Sequence, residues 1–199
     1  MKKLLAAVLL CVSAFSLKAS VDGYFMLSVF SPGQLPVPMT HIYGGRLSFL
    51  YGECQELFGI DFGGVGRVRE HMCGLQAGLG HIVGTDARGL QLGLVEMAES
   101  ELYGCQIGFW NDVAGKMQGA QLGVFGDASS FAGVQFDVVN LTRESSGIQL
   151  GIYNQGFNFS GLQFGVVNCT ATLKGCQIGL VNVSYWHEWP CLPFVNVRW

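Results

Sequence analysis

From Gly74 to the C-terminus, apolar side chains recur at every second residue in short bursts, each opened by glycine and centred on glutamine. The unit reads Gly, apolar, Gln, apolar, usually Gly, apolar, a variable residue and often Asn. Copies open at Gly74, Gly89, Gly104, Gly119, Gly133, Gly147, Gly161 and Gly175. Numbered from that glycine, positions two, four and six are apolar, as in Leu90, Leu92 and Leu94 or Leu162, Phe164 and Val166. Alternation with period two is the mark of a strand, and no 3.6-residue period competes with it. The pattern predicts an all-β repeat protein.

Position three is Gln in every copy: Gln76, Gln91, Gln106, Gln121, Gln135, Gln149, Gln163 and Gln177. Position eight is Asn in five, Asn111, Asn140, Asn154, Asn168 and Asn182, with His81, Glu96 and Gly126 in the others. Asn and Gly tolerate a left-handed backbone, so position eight predicts a turn. The spacing is fifteen residues for three steps and then fourteen for four. A β-solenoid of 14–15-residue rungs explains both regularities, because stacked rungs must match in girth and bring like positions within about 4.8 Å of each other. Gln and Asn then form side-chain amide ladders. On this reading the even-position Leu/Ile/Val columns fill the core.

Degenerate copies flank the clear ones. Gly59 and Gly44 continue the fifteen-residue period backwards, with Asp61 at the Gln position. Fourteen residues beyond Gly175 lies Trp189, after which Leu192, Phe194 and Asn196 fall at positions four, six and eight, with Pro190 and Pro193 interspersed. Proline cannot donate to a ladder, so a proline-bearing last rung would cap a sticky edge. The organisation expected is a 1–19 signal segment, an N-terminal strand and Pro-containing connection over 20–43, a repeat domain over 44–188 and a cap over 189–199. The alternative is an antiparallel outer-membrane-type β-barrel of about twelve strands, suggested by the closing Val195, Val197, Trp199 alternation. Its strands would be short, since alternation covers only positions two to six against the 9–11 residues of a spanning strand.

Composition narrows the class. Charged residues make up 13% of the chain and the net charge is −3, with no Lys/Arg stripe to neutralise phosphates, so nucleic acid is not an expected partner. Met1-Lys2-Lys3 followed by an apolar run to Phe15 reads as a secretory signal, cleaved near 16–19, so an exported protein is expected. Export permits disulfides. Cys54–Cys73 and Cys176–Cys191 are the candidate pairs, although Cys105 and Cys176 stand where Leu or Ile is usual and also read as small hydrophobes.

The string Gly147-Ile148-Gln149-Leu150-Gly151-Ile152-Tyr153-Asn154, its counterpart from Gly161 to Asn168, and the closing Pro190-Cys191-Leu192-Pro193-Phe194-Val195-Asn196 resemble the bacterial surface-repeat proteins first grouped from spirochaetes. The resemblance covers about Gly44 to Trp199. It implies an exported, envelope-associated protein at the cell surface, outer membrane or periplasm of a Gram-negative-type bacterium, and carries no activity with it. Asp137 in place of Gly, Ala77 in place of an aliphatic residue and the missing Asn in three copies depart from the pattern.

Motifs for chemistry are sparse. His41, His71, His81 and His187 sit in no zinc spacing, and neither a nucleophile elbow nor a phosphate loop occurs. Asp61, Glu70, Glu96, Glu99 and Glu101 read as solvated loop carboxylates. No catalytic residue, metal ligand or cofactor site is expected. The aromatics Trp110, Tyr153, Tyr185, Trp186 and Trp189 read first as packing at rung corners and caps, and otherwise as an exposed patch contacting an envelope protein, a glycan or the outer membrane.

Overall fold

A computed structural model describes residues 21–30, 33–35, 40–186 and 188–199. The signal segment and most of the Pro-containing connection lie outside the described residues. Eleven strands follow in chain order: β1 (Val21–Phe30), β2 (Gly33–Leu35), β3 (Thr40–Cys54), β4 (Glu56–Val68), β5 (Met72–Val83), β6 (Asp86–Leu92), β7 (Val95–Ala98), β8 (Glu101–Leu150), β9 (Tyr153–Phe164), β10 (Val167–Ser184) and β11 (Cys191–Arg198). The long β8 runs through several coils without a break.

Successive coils pair in parallel and in register. Gly59 lies opposite Gly74 and Asp61 opposite Gln76, Gly74 opposite Gly89 and Gln76 opposite Gln91, and Gly161 opposite Gly175 and Gln163 opposite Gln177. The molecule is a β-solenoid of about ten coils, opened by the positive-φ glycines from Gly44 to Gly175. Parallel order rules out the antiparallel barrel, whose neighbouring strands would reverse and set unlike positions opposite each other.

The two ends turn back. β2 runs antiparallel to β1, and β11 antiparallel to β10. The C-terminal segment is therefore not an eleventh rung, as counting suggested. Asn196 lies opposite Gln177 instead of extending the Asn column. Pro193 coincides with a register shift between Leu192 and Phe194, so its missing N–H removes no ladder bond. Phe194 there takes φ 65°.

The core is the other face of the sheet from the one expected. In the clear copies positions two, four and six point outward, and none of their side chains is buried. Positions three, eight, ten and fourteen point inward. Met72, Ala87, Leu102 and Met117 form the fourteenth column, which Phe131 continues from position thirteen of the first fourteen-residue coil, and Val83, Ala98, Val113 and Ala128 the tenth. Alternation alone is symmetric between the two faces; glycine at positions one and five breaks the symmetry. Facing inward, these glycines leave Gln the single side chain on its wall, and a coil only 14–15 residues round has no room for a triple row of Leu and Phe. At position five a Cβ would strike the Asn column: at Gly151 it would lie 2.6 Å from Asn140 Nδ2.

The step from fifteen to fourteen residues happens at one corner. Four residues lead from Val83 to Ala87, but only three from Ala128 to Phe131, and all four of these residues are buried. The narrower coils then place Thr142, Ser145, Thr170 and Ser184 inside.

Candidate functional site

The amides of position three form one chain of hydrogen bonds. Each Gln Nε2 donates to the Oε1 of the Gln one coil earlier, at 2.7–3.0 Å from Gln91 to Gln177. Asn196 Nδ2 feeds the chain at one end, 2.7 Å from Gln177 Oε1. At the other end Gln76 Nε2 donates to Asp61 Oδ2 at 3.2 Å, and Arg46 grips the same carboxylate through Nε at 2.8 Å and Nη2 at 2.5 Å. An acceptor-only group followed by a donor-only group terminates the ladder and fixes its direction. The Asn column runs the opposite way, Asn140 to Asn154 to Asn168 to Asn182, at 2.7–2.8 Å.

Asn111 is separated from that column by Gly126, and Asp137 fills the gap. A Cβ on Gly126 would meet Asp137 Oδ2 at 2.3 Å, so the carboxylate occupies the space an Asn would take. Asn111 Nδ2 lies 3.4 Å from Asp137 Oδ1. Burial pushes the Asp137 carboxyl up to about 6, partly offset by the Asn111 hydrogen bond. The departures at Gly126 and Asp137 are thus one compensated exchange.

Sequence reasoning missed a second buried cluster. Asp61 and Glu96, read as solvated, are 1% and 0% exposed. His81 Nδ1 lies 3.0 Å from both Glu96 oxygens, and its Nε2 lies 4.0 Å from Asp61 Oδ2. Burial raises the Glu96 pKa, against the lowering effect of His81. Arg46 Nη1 also donates to Cys54 Sγ at 3.0 Å, while burial drives the Cys54 thiol up to about 11. The signal was present: these charges occupy positions three and eight in the first coils, where the amide ladders run later. Enclosed on every side, Arg46 and Asp61 close the Gln ladder, while His81 and Glu96 pair with each other at position eight in the coils before Asn111. All six described cysteines are free, so neither candidate pair is bridged; Cys54 points inward and Cys73 outward.

The outer surface carries the apolar residues. Positions two, four and six of the eight clear copies supply three side chains each, and none of these is polar or charged. Leu79, Leu94, Phe109, Phe136, Ile152 and Leu180 are 55–61% exposed. Position seven continues the strip round a corner through Val95, Trp110, Phe125, Val139, Tyr153, Val167 and Val181. Every backbone hydrogen bond of the parallel sheet points along the solenoid axis, so this face presents side chains only.

Of the five aromatics singled out, three come together. Tyr153, Tyr185 and Trp186 line a hollow of about 240 Å³ with Phe157, whose ring meets Trp186 edge-on at 5.3 Å. Trp110 packs on Phe125 three coils earlier on the strip, with ring centres 5.3 Å apart. Trp189 is exposed beside the final strand, its carbonyl accepting from Arg198 at 3.1 Å. Pro190 accepts from Ser184 N at 2.7 Å just before β11 and Pro193 is exposed near its start, so both prolines sit at the entry to the capping strand. Glu56, Glu70 and His71 converge at a solvent-facing corner.

No protein-family model, curated protein or solved structure matches this chain.

Proposed function

We propose that the protein is an exported, non-catalytic β-solenoid of the cell envelope, akin to the spirochaetal surface-repeat group, that rests its apolar face on a lipid bilayer. The observation carrying this reading is the unbroken outward strip of positions two, four and six, which position seven extends round the corner from Val95 onward. Eight coils about 4.8 Å apart and five residues of about 3.3 Å give the flat face a footprint on the order of 600 Å². That exceeds the few hundred Å² of apolar patch usual on a soluble monomer. Interfaces between proteins are polar over a third or more of their area, and those groups set the register. A wholly apolar, flat face lacks such groups and suits a fluid phase. Its backbone is satisfied internally, so contact with acyl chains strands no N–H or C=O. Trp110 and Tyr153 on the corner are the residue types that anchor at a membrane interface. The basic, then apolar start of the chain supports export.

The test is flotation of the chain from residue 20 onward with phosphatidylethanolamine–phosphatidylglycerol vesicles. The wild type is expected to float. A variant with Leu94→Glu, Phe109→Glu, Phe136→Glu and Ile152→Glu should stay at the bottom with an unchanged circular-dichroism spectrum. A wild type that ignores vesicles overturns the reading, and light scattering then shows whether a second copy covers the face.

A further inference from the structure

In-register stacking brings together residues that no local motif would group. His41, Glu56, His71 and Asp86 follow one another at intervals of fifteen and share one corner of consecutive coils. His41 Nδ1 lies 3.3 Å from Glu56 Oε2, and His71 Nδ1 lies 3.5 Å from Asp86 Oδ2. Glu70 stands beside this column. One ligand atom from each of Glu56, Glu70 and His71 falls within 4.8 Å of the other two.

The geometry points to a divalent transition-metal site of the zinc class, with Glu56, Glu70 and His71 as its ligands. Tetrahedral zinc with bonds near 2.0–2.1 Å separates its ligand atoms by about 3.4 Å. The approach needed is about 1.4 Å at most, within rotamer reach for side chains at a solvated corner. The surroundings supply the outer shell such a site uses. Asp86 faces one nitrogen of His71, leaving the other for a metal, and His41 faces Glu56. Gln55 donates from Nε2 to Glu70, and its own Oε1 is buried without a partner, a spare acceptor next to the carboxylates.

Charge favours a cation. Glu56, Glu70 and Asp86 converge; Arg69 is engaged with Glu53 at 2.8 Å and Arg67 with Glu99 at 3.8 Å, while Arg88, which borders the column at Asp86, turns its guanidinium over the Tyr103 ring at 5.6 Å. A hollow of about 300 Å³, lined by Phe58, His71, Met72, Cys73, Asp86 and Arg88, opens beside the column at His71. Glu56 comes from the coil opened at Gly44, and Glu70 and His71 from the next, so a bound ion would clip the same two coils that the buried Arg46–Asp61 pair joins.

The test is equilibrium dialysis of the untagged chain against Zn²⁺ at pH 7.5. One equivalent should bind saturably, with a melting temperature that rises with free Zn²⁺. His71→Ala and Glu70→Gln should each weaken binding by about tenfold or more, the loss typical even of outer-shell partners. Glu144→Gln, an exposed carboxylate elsewhere, should leave it unchanged. Co²⁺ in the wild type should give the visible absorption of a four-coordinate centre, a readout independent of whether the variants fold. Absence of saturable binding near one equivalent, retention of affinity within twofold by His71→Ala, or a purely six-coordinate Co²⁺ spectrum overturns the site.

Discussion

At the scale of single residues, one backbone contact explains why position one never varies. Gly104 has φ +148°, a conformation L side chains rarely adopt, and a Cβ there would lie 2.0 Å from the Gly89 carbonyl oxygen. Backbone and neighbour both forbid a side chain, so Gly104→Ala should cost about 3 kcal/mol or more in a urea titration; a loss under about 1 kcal/mol would contradict the geometry. Asp137 makes a prediction of the opposite sign. Its carboxyl is raised from 3.8 to about 6 by burial, so the folded protein binds this proton more readily than the unfolded chain does. The penalty is therefore absent below about pH 4, grows through the interval and is complete above about pH 6. Asp137→Asn should flatten that part of the pH–stability curve and raise stability at pH 8 by on the order of 2 kcal/mol. An amide there also offers a donor near Asn111 Oδ1 and Asn140 Oδ1, both buried without partners. Equal stability of the two proteins from pH 4 to 8 would dismiss the explanation. From sequence, Asp137 and Gly126 were separate irregularities, because their complementarity exists only once coils are stacked.

At the scale of the element, the Gln ladder has a direction, and its ends are chosen to suit it. Every Nε2 donates toward the N-terminus, so the last acceptor must itself donate nothing; Asp61 meets that need and Arg46 answers its charge. Removing Arg46 alone strands a buried carboxylate, and Arg46→Leu should destabilise by about 3–5 kcal/mol. Asp61→Gln added to it removes the stranded charge and extends the amide ladder by one neutral rung, leaving one buried amide N–H in place of a buried ion. The double variant should recover much of the loss, and a double variant no more stable than Arg46→Leu alone would mean that the pair does more than terminate a ladder. The strands, their period and the amide columns were legible in the sequence, because all three depend on spacing along the chain. The inward face was not, because period-two alternation looks identical from either side; the deciding facts are the bare glycines at positions one and five and their clearance against the Asn column. The buried quartet was half legible. Asp61, His81 and Glu96 stood at ladder positions, but solvation is the usual fate of a lone charge, and only the stacked neighbours overturn it.

At the scale of the whole molecule, a solenoid with amides inside and aliphatic residues outside has two ways to associate, through its face and through its ends. The face is the larger, but the ends carry the stronger template. A parallel in-register stack leaves a complete row of unpaired N–H and C=O groups on its last coil, together with an open ladder amide. This molecule covers both ends with antiparallel strands, β2 over β1 and β11 over β10. β11 pairs from Gly175 to Val183, and Asn196 satisfies Gln177. Deleting residues 190–199 should therefore expose the β10 edge and Gln177 Oε1 together, and neighbouring molecules should stack on the free edge. Face association would confuse the result, so the deletion belongs in the background of Leu94→Glu, Phe109→Glu, Phe136→Glu and Ile152→Glu. In that background the capped chain should remain monomeric by light scattering. The uncapped chain should grow into concentration-dependent, elongated oligomers that bind thioflavin T, because each addition recreates the edge it covers. If both remain monomeric, β11 is dispensable as a cap and the proline-bearing strand needs another explanation.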